Sequence, residues 1–352
     1  MPTPLLAPRV DPTPIFEHFR GAYATELLTA AVAHLRVFEL LAGGPLAPPE
    51  FGQRLHLAPR PVAVLTTALR AMGLLTVDAN DRFELTPLAR EHLLPGGAFD
   101  VSGYVGLAAE SPGVREMVER LKSNRPAGAA APAASGPADA GVAFIYREGM
   151  ESAMEQQTSA RRLTLSLAGR ARNVAPALAA RLPLGNAQVL VDVGGGSGLY
   201  SIACLERYPK LRAIVFDRPE VLKVAEELAL EQGVADRLEC RAGDMFRDPV
   251  PAGDCLLLSN ILHDWDVPEC RALIQRCAQA RRPGGVLAIH DVFLNDALDG
   301  PLPLALYSAA LFTLTEGRAY SAGEYRGWLA EAGLSADAVH PTLVHCGVLI
   351  GR

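Results

Sequence analysis

Residues 189–198 read Val-Leu-Val-Asp-Val-Gly-Gly-Gly-Ser-Gly: a short apolar run, Asp192, and then a glycine cluster that leads into the apolar-periodic segment 199–207. That is the pattern of a buried strand, a tight turn and a helix. Gly194, Gly196 and Gly198 remove side chains where a ligand must approach the backbone. The helix that follows offers unpaired N–H groups at its start. The pattern predicts a bound nucleoside or carboxylate. The spacing is one residue tighter than the dinucleotide fingerprint G-x-G-x-x-G. A glycine cluster by itself also serves simply to pack a helix on a sheet, so the residues downstream decide.

A second strand, Ala213 to Phe216, ends at Asp217, which places a carboxylate where a ribose would sit. A third begins near Leu238 and ends at Gly243-Asp244-Met245-Phe246, where Asp244 could accept from an exocyclic amine and Met245 could pack on an adenine face. The fourth, Asp254 to Leu258, runs into Ser259-Asn260-Ile261-Leu262-His263-Asp264-Trp265. After Pro283-Gly284-Gly285, a fifth strand over Val286 to Ile289 ends at His290-Asp291. Polar residues thus fall at the carboxyl ends of successive strands, where open α/β sheets bind ligands.

This ordered set resembles the S-adenosylmethionine-dependent O-methyltransferases of the plant caffeic-acid type and their bacterial polyketide and pigment relatives. The matching stretches are Leu190 to Gly198, Phe216-Asp217-Arg218-Pro219, Gly243 to Phe246 and Ile261 to Trp265. The resemblance implies an α/β fold: a C-terminal doubly wound, Rossmann-like methyltransferase domain and an N-terminal, mostly helical, winged-helix dimerisation domain. It implies S-adenosylmethionine as cofactor, with Asp192, Gly194 and Gly196 toward its amino-acid end, Asp217 on the ribose, and Asp244, Met245 and Phe246 around the adenine. Ser259 stands where many relatives carry a Lys or Arg near the cofactor. The implied reaction is methyl transfer to a hydroxyl of a small aromatic or polyketide-like acceptor. A phenol has a pKa near ~10 and a histidine near ~6.5, so a neutral histidine can take the proton as the methyl arrives. His263 holds the family's base position, Asp264 resembles the residue that holds the acceptor, and Asp291 aligns with the carboxylate that orients the histidine. Asn260, Met154, Tyr307 and Phe312 are assigned to the acceptor pocket; for the last three, core packing is an equal alternative. His290 reads as a packing or hydrogen-bonding residue.

One family feature is missing. Where plant relatives have a second glutamate, this chain has Ala319, and Glu316 is the nearest substitute. That keeps open a relative that binds cofactor but has lost or changed methylation chemistry.

The elements that must position these residues are legible in outline. With 352 residues the chain can hold two domains with real cores. The expected division is 1–110 for the winged-helix-like part, 111–180 for a flexible loop and linking helices, and 181–352 for the cofactor-binding domain. Residues 15–42 read as mostly helix, with Leu27, Leu28, Ala31, Leu35, Phe38 and Leu41 on an apolar stripe. Two further helices, 48–57 and 61–74, precede a hairpin of Leu75-Thr76-Val77 and Phe83-Glu84-Leu85 across Asn80-Asp81. Helix, helix, wing is a DNA-binding pattern too, and it motivates a ligand-sensing regulator as rival. The would-be reading helix, however, offers mainly Val, Leu, Ala and Thr, with Arg70 as its basic residue. Dimerisation is the preferred reading, giving a homodimer. Residues 125–142 are rich in Ala, Pro and Gly and read as a mobile loop. A helical stretch over 148–181 follows, with Pro176 expected near a break or the start of a new helix.

Formal net charge is −6 without runs of like sign, which argues against nucleic-acid or anionic-membrane partners. No stretch reaches the ~18 apolar residues of a membrane span, and the proline-rich start does not resemble a signal peptide. Six cysteines without paired spacing suit a reduced, cytoplasmic protein, and no metal constellation is visible.

Overall fold

The structure, a computed structural model, describes residues 4–125 and 157–352. Met154 and all of the 125–142 stretch except Arg125 lie outside the described residues. The chain divides into two compact units: Glu17–Gly141 with Leu294–Ala319, and Met1–Phe16 with Val142–Phe293 and Tyr320–Arg352.

The first unit is helical. Its helix–helix–hairpin portion is Pro48–Leu55, Pro59–Ala71, β1 (Leu75–Val77) and β2 (Phe83–Leu85), the strands antiparallel with Leu75 opposite Leu85. Proline at the start of both helices costs nothing, because the missing N–H has no helical partner there. Thr86 then caps the next helix by accepting from the Ala89 N–H. Helix Pro59–Ala71 is the centre of this unit: Val64, Leu65, Ala68 and Leu69 are buried in one cluster with Leu27, Phe38, Leu41 and Phe312. It begins two residues earlier than its periodicity indicated and so takes in Arg60, which is buried and donates to the carbonyls of Asn124, Thr315 and Gly317. Arg70 donates to the Ala297 carbonyl. Both arginines of the would-be reading helix therefore bind carbonyls of their own unit. The 15–42 stretch is not one helix but several short pieces; Arg36 interrupts it in the left-handed region at φ 52°.

The second unit is built on one sheet. β3 (Val189–Val193), β4 (Arg212–Asp217), β5 (Leu238–Ala242), β6 (Gly253–Ser259) and β7 (Arg281–Leu294) run parallel in the order β5-β4-β3-β6-β7. β8 (Tyr320–Ser321) pairs with β7, and the sheet continues through β10 (Cys346–Gly351) to β9 (His340–Pro341), both antiparallel to their neighbours. Alternate strand residues feed two cores. Leu190, Val215, Leu257 and Ala288 pack under helices Leu199–Arg207 and Pro219–Glu231; Val191, Phe216, Leu256 and Ile289 pack on the other face against Val267–Ala280 and Ala322–Glu331. Strands covered on both sides are continuous apolar runs, as their sequences show. Strand order reverses beside β3, so a crevice opens at the carboxyl ends of β3 and β6.

Two local expectations are corrected. β7 starts at Arg281, not Val286, and runs past Asp291 to Leu294. Pro176 sits inside the continuous helix Gln157–Arg181. The backbone bond that proline forfeits is offset by burial around it, since Val174, Ala175 and Leu178 are fully enclosed.

Candidate active site

The glycine turn is shaped by three left-handed residues, Gly194, Gly196 and Gly198, with φ between 60° and 70°. Each is glycine for a different reason. A Cβ on Gly194 would lie 2.6 Å from the Ile261 side chain, one on Gly198 3.3 Å from Ala225, and one on Gly196 would project into open space. Gly196 donates its N–H to Asp217 Oδ2 at 2.8 Å, and the Arg218 N–H donates to Asp217 Oδ1 at 2.7 Å. Arg218 in turn reaches Asp244 Oδ2 at 3.4 Å. The ends of β3, β4 and β5 are thereby tied into one rim. Asp244 Oδ1 also accepts from the Phe246 N–H at 2.8 Å, and Phe246 stands edge-on to Trp265 with ring centroids 4.6 Å apart. Met245 is half-buried, and its carbonyl accepts from Arg276.

Asp192 lies behind this turn. It is fully buried, Oδ2 accepts from Ser201 Oγ at 2.9 Å, and Oδ1 has no hydrogen-bond partner among the described residues. Burial pushes its pKa up to about 7. A buried carboxylate oxygen left without a donor leaves its desolvation uncompensated, and a donor from a bound molecule would correct that. Burial raises Asp217 as well, against the two N–H groups it accepts.

Ile261, packed on Gly194, leads directly into the turn Leu262–Asp264. His263 is 4% exposed and its Nδ1 lies 2.5 Å from Oδ1 of Asp291, itself 1% exposed. The carboxylate accepts, so Nδ1 carries the proton, and in the neutral ring Nε2 is the basic, accepting nitrogen. Asp264 Oδ1 lies 3.7 Å from Nε2. Burial opposes a charged His263, but the carboxylates of Asp291 and Asp264 outweigh it and hold its pKa above the ordinary value. Burial opposes ionisation of Asp291 too, yet the His263 charge and hydrogen bond and the Val292 N–H keep it low. Burial lifts Asp264 to about 6. The turn is held from below: Cys270 Sγ lies 3.1 Å from the Leu262 carbonyl, and the Tyr320 hydroxyl donates to the Trp265 carbonyl at 2.7 Å.

The β6–β7 register sets Ser259 opposite His290. His290 Nδ1 is 2.8 Å from Ser259 Oγ, and its Nε2 is 3.1 Å from Thr342 Oγ1. Burial, reinforced by the Arg170 charge, drops its pKa to about 3, so it stays neutral. Asn260, left-handed at φ 57°, donates to Ser259 Oγ and to the Tyr200 hydroxyl. Neighbours on one strand, His290 and Asp291, thus serve two separate groups.

The structure therefore joins Gly194, Gly196, Asp217 and Asp244 in one rim, and His263, Asp264 and Asp291 in a cluster beside it. Tyr307 and Phe312 belong to the helical unit. Tyr307 is half-buried under the Arg20 guanidinium, 4.0 Å from its ring centroid. Phe312 is fully buried with Arg60 stacked on it, which gives it a packing role. Ala319, also fully buried, donates its N–H to Ser308 Oγ and offers no carboxylate. Sequence reading missed Ser201 and Tyr325, the latter bonded to Asp291 Oδ2 at 3.2 Å. Ser201 was findable, since it lies one turn into the helix that the glycines open.

Comparison with known proteins places this geometry among relatives. The O-methyltransferase domain family matches residues 141–335, and the O-methyltransferase dimerisation domain family matches residues 16–94. A 3-hydroxy-5-methyl-1-naphthoate 3-O-methyltransferase of Streptomyces sahachiroi is 34% identical over 329 residues, which is 92% of this chain and 90% of that one. Among solved structures, an O-methyltransferase family 2 protein from Planctomyces limnophilus, in complex with apigenin, is 49% identical with a TM-score of 0.87, covering 99% of this chain and 98% of that one. Human N-acetylserotonin methyltransferase in complex with SAM (S-adenosylmethionine) shares the fold at 21% identity and a TM-score of 0.58, over 96% of both chains.

Proposed function

Since the chain belongs to the O-methyltransferase family, on the match of residues 141–335 and the 34% identity to the naphthoate enzyme, we propose that it methylates a hydroxyl of a small aromatic or polyketide-like acceptor with His263 as base. The observation that carries this reading is the buried His263–Asp291 pair at 2.5 Å, two residues beyond the Ile261 that packs on the glycine turn. The family is S-adenosylmethionine-dependent, and this chain fits that cofactor: Asp192 Oδ1 is short of a donor, and Gly196 leaves open space. Asp192, Gly194, Gly196 and Ser259 would hold its amino-acid portion, Asp217 the ribose, and Asp244, Met245 and Phe246 the adenine. S-Adenosylmethionine supplies a methyl group already activated on a positively charged sulfur.

The chain's own residues then have two tasks. Asp264 and Asn260 orient the acceptor hydroxyl toward His263, and Nε2 takes its proton as the oxygen becomes nucleophilic. Asp291 keeps the imidazole in the required tautomer and stabilises the imidazolium that forms. No ordered cation is needed at the hydroxyl in this scheme, because the histidine itself receives the charge. The enzyme acts as a homodimer through its N-terminal unit, where Phe19, Leu88, Phe99, Tyr104 and Leu107 are exposed apolar side chains. A cytoplasmic setting suits six free cysteines, five of them buried.

Titration with S-adenosylmethionine, S-adenosylhomocysteine and NAD, followed by methyl transfer to a panel of hydroxynaphthoates and flavones, tests the proposal. The first two should bind and NAD should not. Asp217→Ala should weaken cofactor binding at least ~10-fold through lost ribose hydrogen bonds. His263→Ala should bind cofactor normally yet lose about 10²–10⁴ in kcat. Unchanged turnover in His263→Ala would remove it as the base.

A further inference from the structure

We infer that Tyr325 is a positioning residue for the base: its phenol O–H, donated to Asp291 Oδ2, fixes the carboxylate that in turn orients His263. This rests on the reading of His263 as base. Asp291 is a fully enclosed carboxylate with two oxygens to satisfy. Oδ1 receives His263 Nδ1 at 2.5 Å and the Val292 N–H at 2.8 Å, and Oδ2 receives the Tyr325 hydroxyl at 3.2 Å. The carboxylate is thus held at both oxygens, and its plane cannot turn without breaking one set of bonds.

Tyr325 is well placed to impose that geometry. It stands in the first turns of helix Ala322–Glu331, whose start is locked by reciprocal bonds between Ser321 and Glu324. Its ring is fully buried and packs edge-on against Phe293, Tyr320 and Trp328, with centroids 5.4 to 5.8 Å away. A ring so enclosed delivers its hydroxyl to one place. The chain has an alanine at 319, so support for the His263 pair comes instead from a neutral donor on the far side of Asp291.

A neutral donor also changes the chemistry of the pair. It stabilises the Asp291 charge and so moderates how strongly that charge holds a proton on His263. The other ionisable or polar groups facing the pair are Asp264 on the same turn, Arg170 on helix Gln157–Arg181, Cys270 on helix Val267–Ala280 and Tyr320 on β8. All of these are kept when Tyr325 becomes Phe, which also preserves the packed ring. In Tyr325→Phe the pair should grip its proton more tightly.

The experiment is the pH profile of kcat/KM for the parent, Tyr325→Phe, Asp291→Asn, the double variant and His263→Ala, with cofactor affinity measured alongside. Tyr325→Phe should move the acid limb upward by about half a pH unit or more and leave cofactor affinity unchanged. It should add no further loss in the Asp291→Asn background. Replacement of Tyr325 by 3-fluorotyrosine, a stronger donor of nearly the same size, should move the limb the other way, and this serves if the Phe variant folds poorly. A parent-like profile in both variants, a kcat loss with no pH displacement, or a full additional loss on top of Asp291→Asn would overturn the inference. If His263→Ala keeps its activity, the base reading fails first; if it is inactive while Tyr325→Phe matches the parent, Tyr325 alone is wrong.

Discussion

At the scale of residues, His263 has two opposed dependences on pH. It must be neutral to accept a proton, and its carboxylate neighbours hold its pKa above the ordinary ~6.5. The acid limb of kcat/KM should therefore lie above pH ~6.5 and drop about tenfold per unit below it; a limb centred well below that value would show that the carboxylates do not act on the imidazole. Stability runs the other way. A histidine whose pKa rises on folding contributes stability that is full below its unfolded value and is lost as pH rises through the folded one. Conditions that suit turnover thus weaken this part of the fold. The pairing of His263 with Asp291 was legible through the family resemblance, in which Asp291 aligns with the carboxylate that orients the histidine, and the structure brings the two within 2.5 Å. The third member, Tyr325, was not. A tyrosine within the mixed polar and apolar helix Ala322–Glu331 carries no mark of its own, and only the docking of that helix reveals that its hydroxyl meets a carboxylate 34 positions away.

At the scale of elements, the strands and glycine turns were legible because strands buried on both faces are apolar throughout and end abruptly in polar residues. What stayed hidden depended on packing between elements. Helix Gln157–Arg181 tolerates Pro176 because its neighbours are buried, and β7 extends past the carboxyl end expected for it because β10 pairs alongside, Gly347 opposite Asp291. The turn after β5 shows how tightly one element constrains the next. Gly243 donates its N–H to the Asp217 carbonyl, and a Cβ there would stand 2.3 Å from the buried Phe216 ring. Gly243→Ala should therefore destabilise the protein by about 1–3 kcal/mol and weaken S-adenosylmethionine binding, as thermal melting and titration would reveal. Wild-type values for both would mean that the turn is more pliable than its packing implies.

At the scale of the whole molecule, an exposed apolar set on a unit that matches a dimerisation domain predicts a concentration-dependent assembly. Sedimentation should give twice the monomer mass, and the melting temperature should climb with protein concentration; a monomer at all concentrations would count against the dimer. The same scale shows why domain limits were poorly legible. A contiguous division into 1–110, 111–180 and 181–352 cannot express units that each recruit separated segments, with Leu294–Ala319 inserted between stretches of the sheet-bearing unit. That interleaving governs how the protein is made. β10 pairs with β7 but is synthesised after helix Leu302–Leu314 of the other unit. A nascent chain on the ribosome thus carries an open β7 edge until β10 emerges, and such an edge invites pairing with other chains. Neither unit can mature well ahead of the other, so the chain offers chaperones one long interval of vulnerability instead of two short ones.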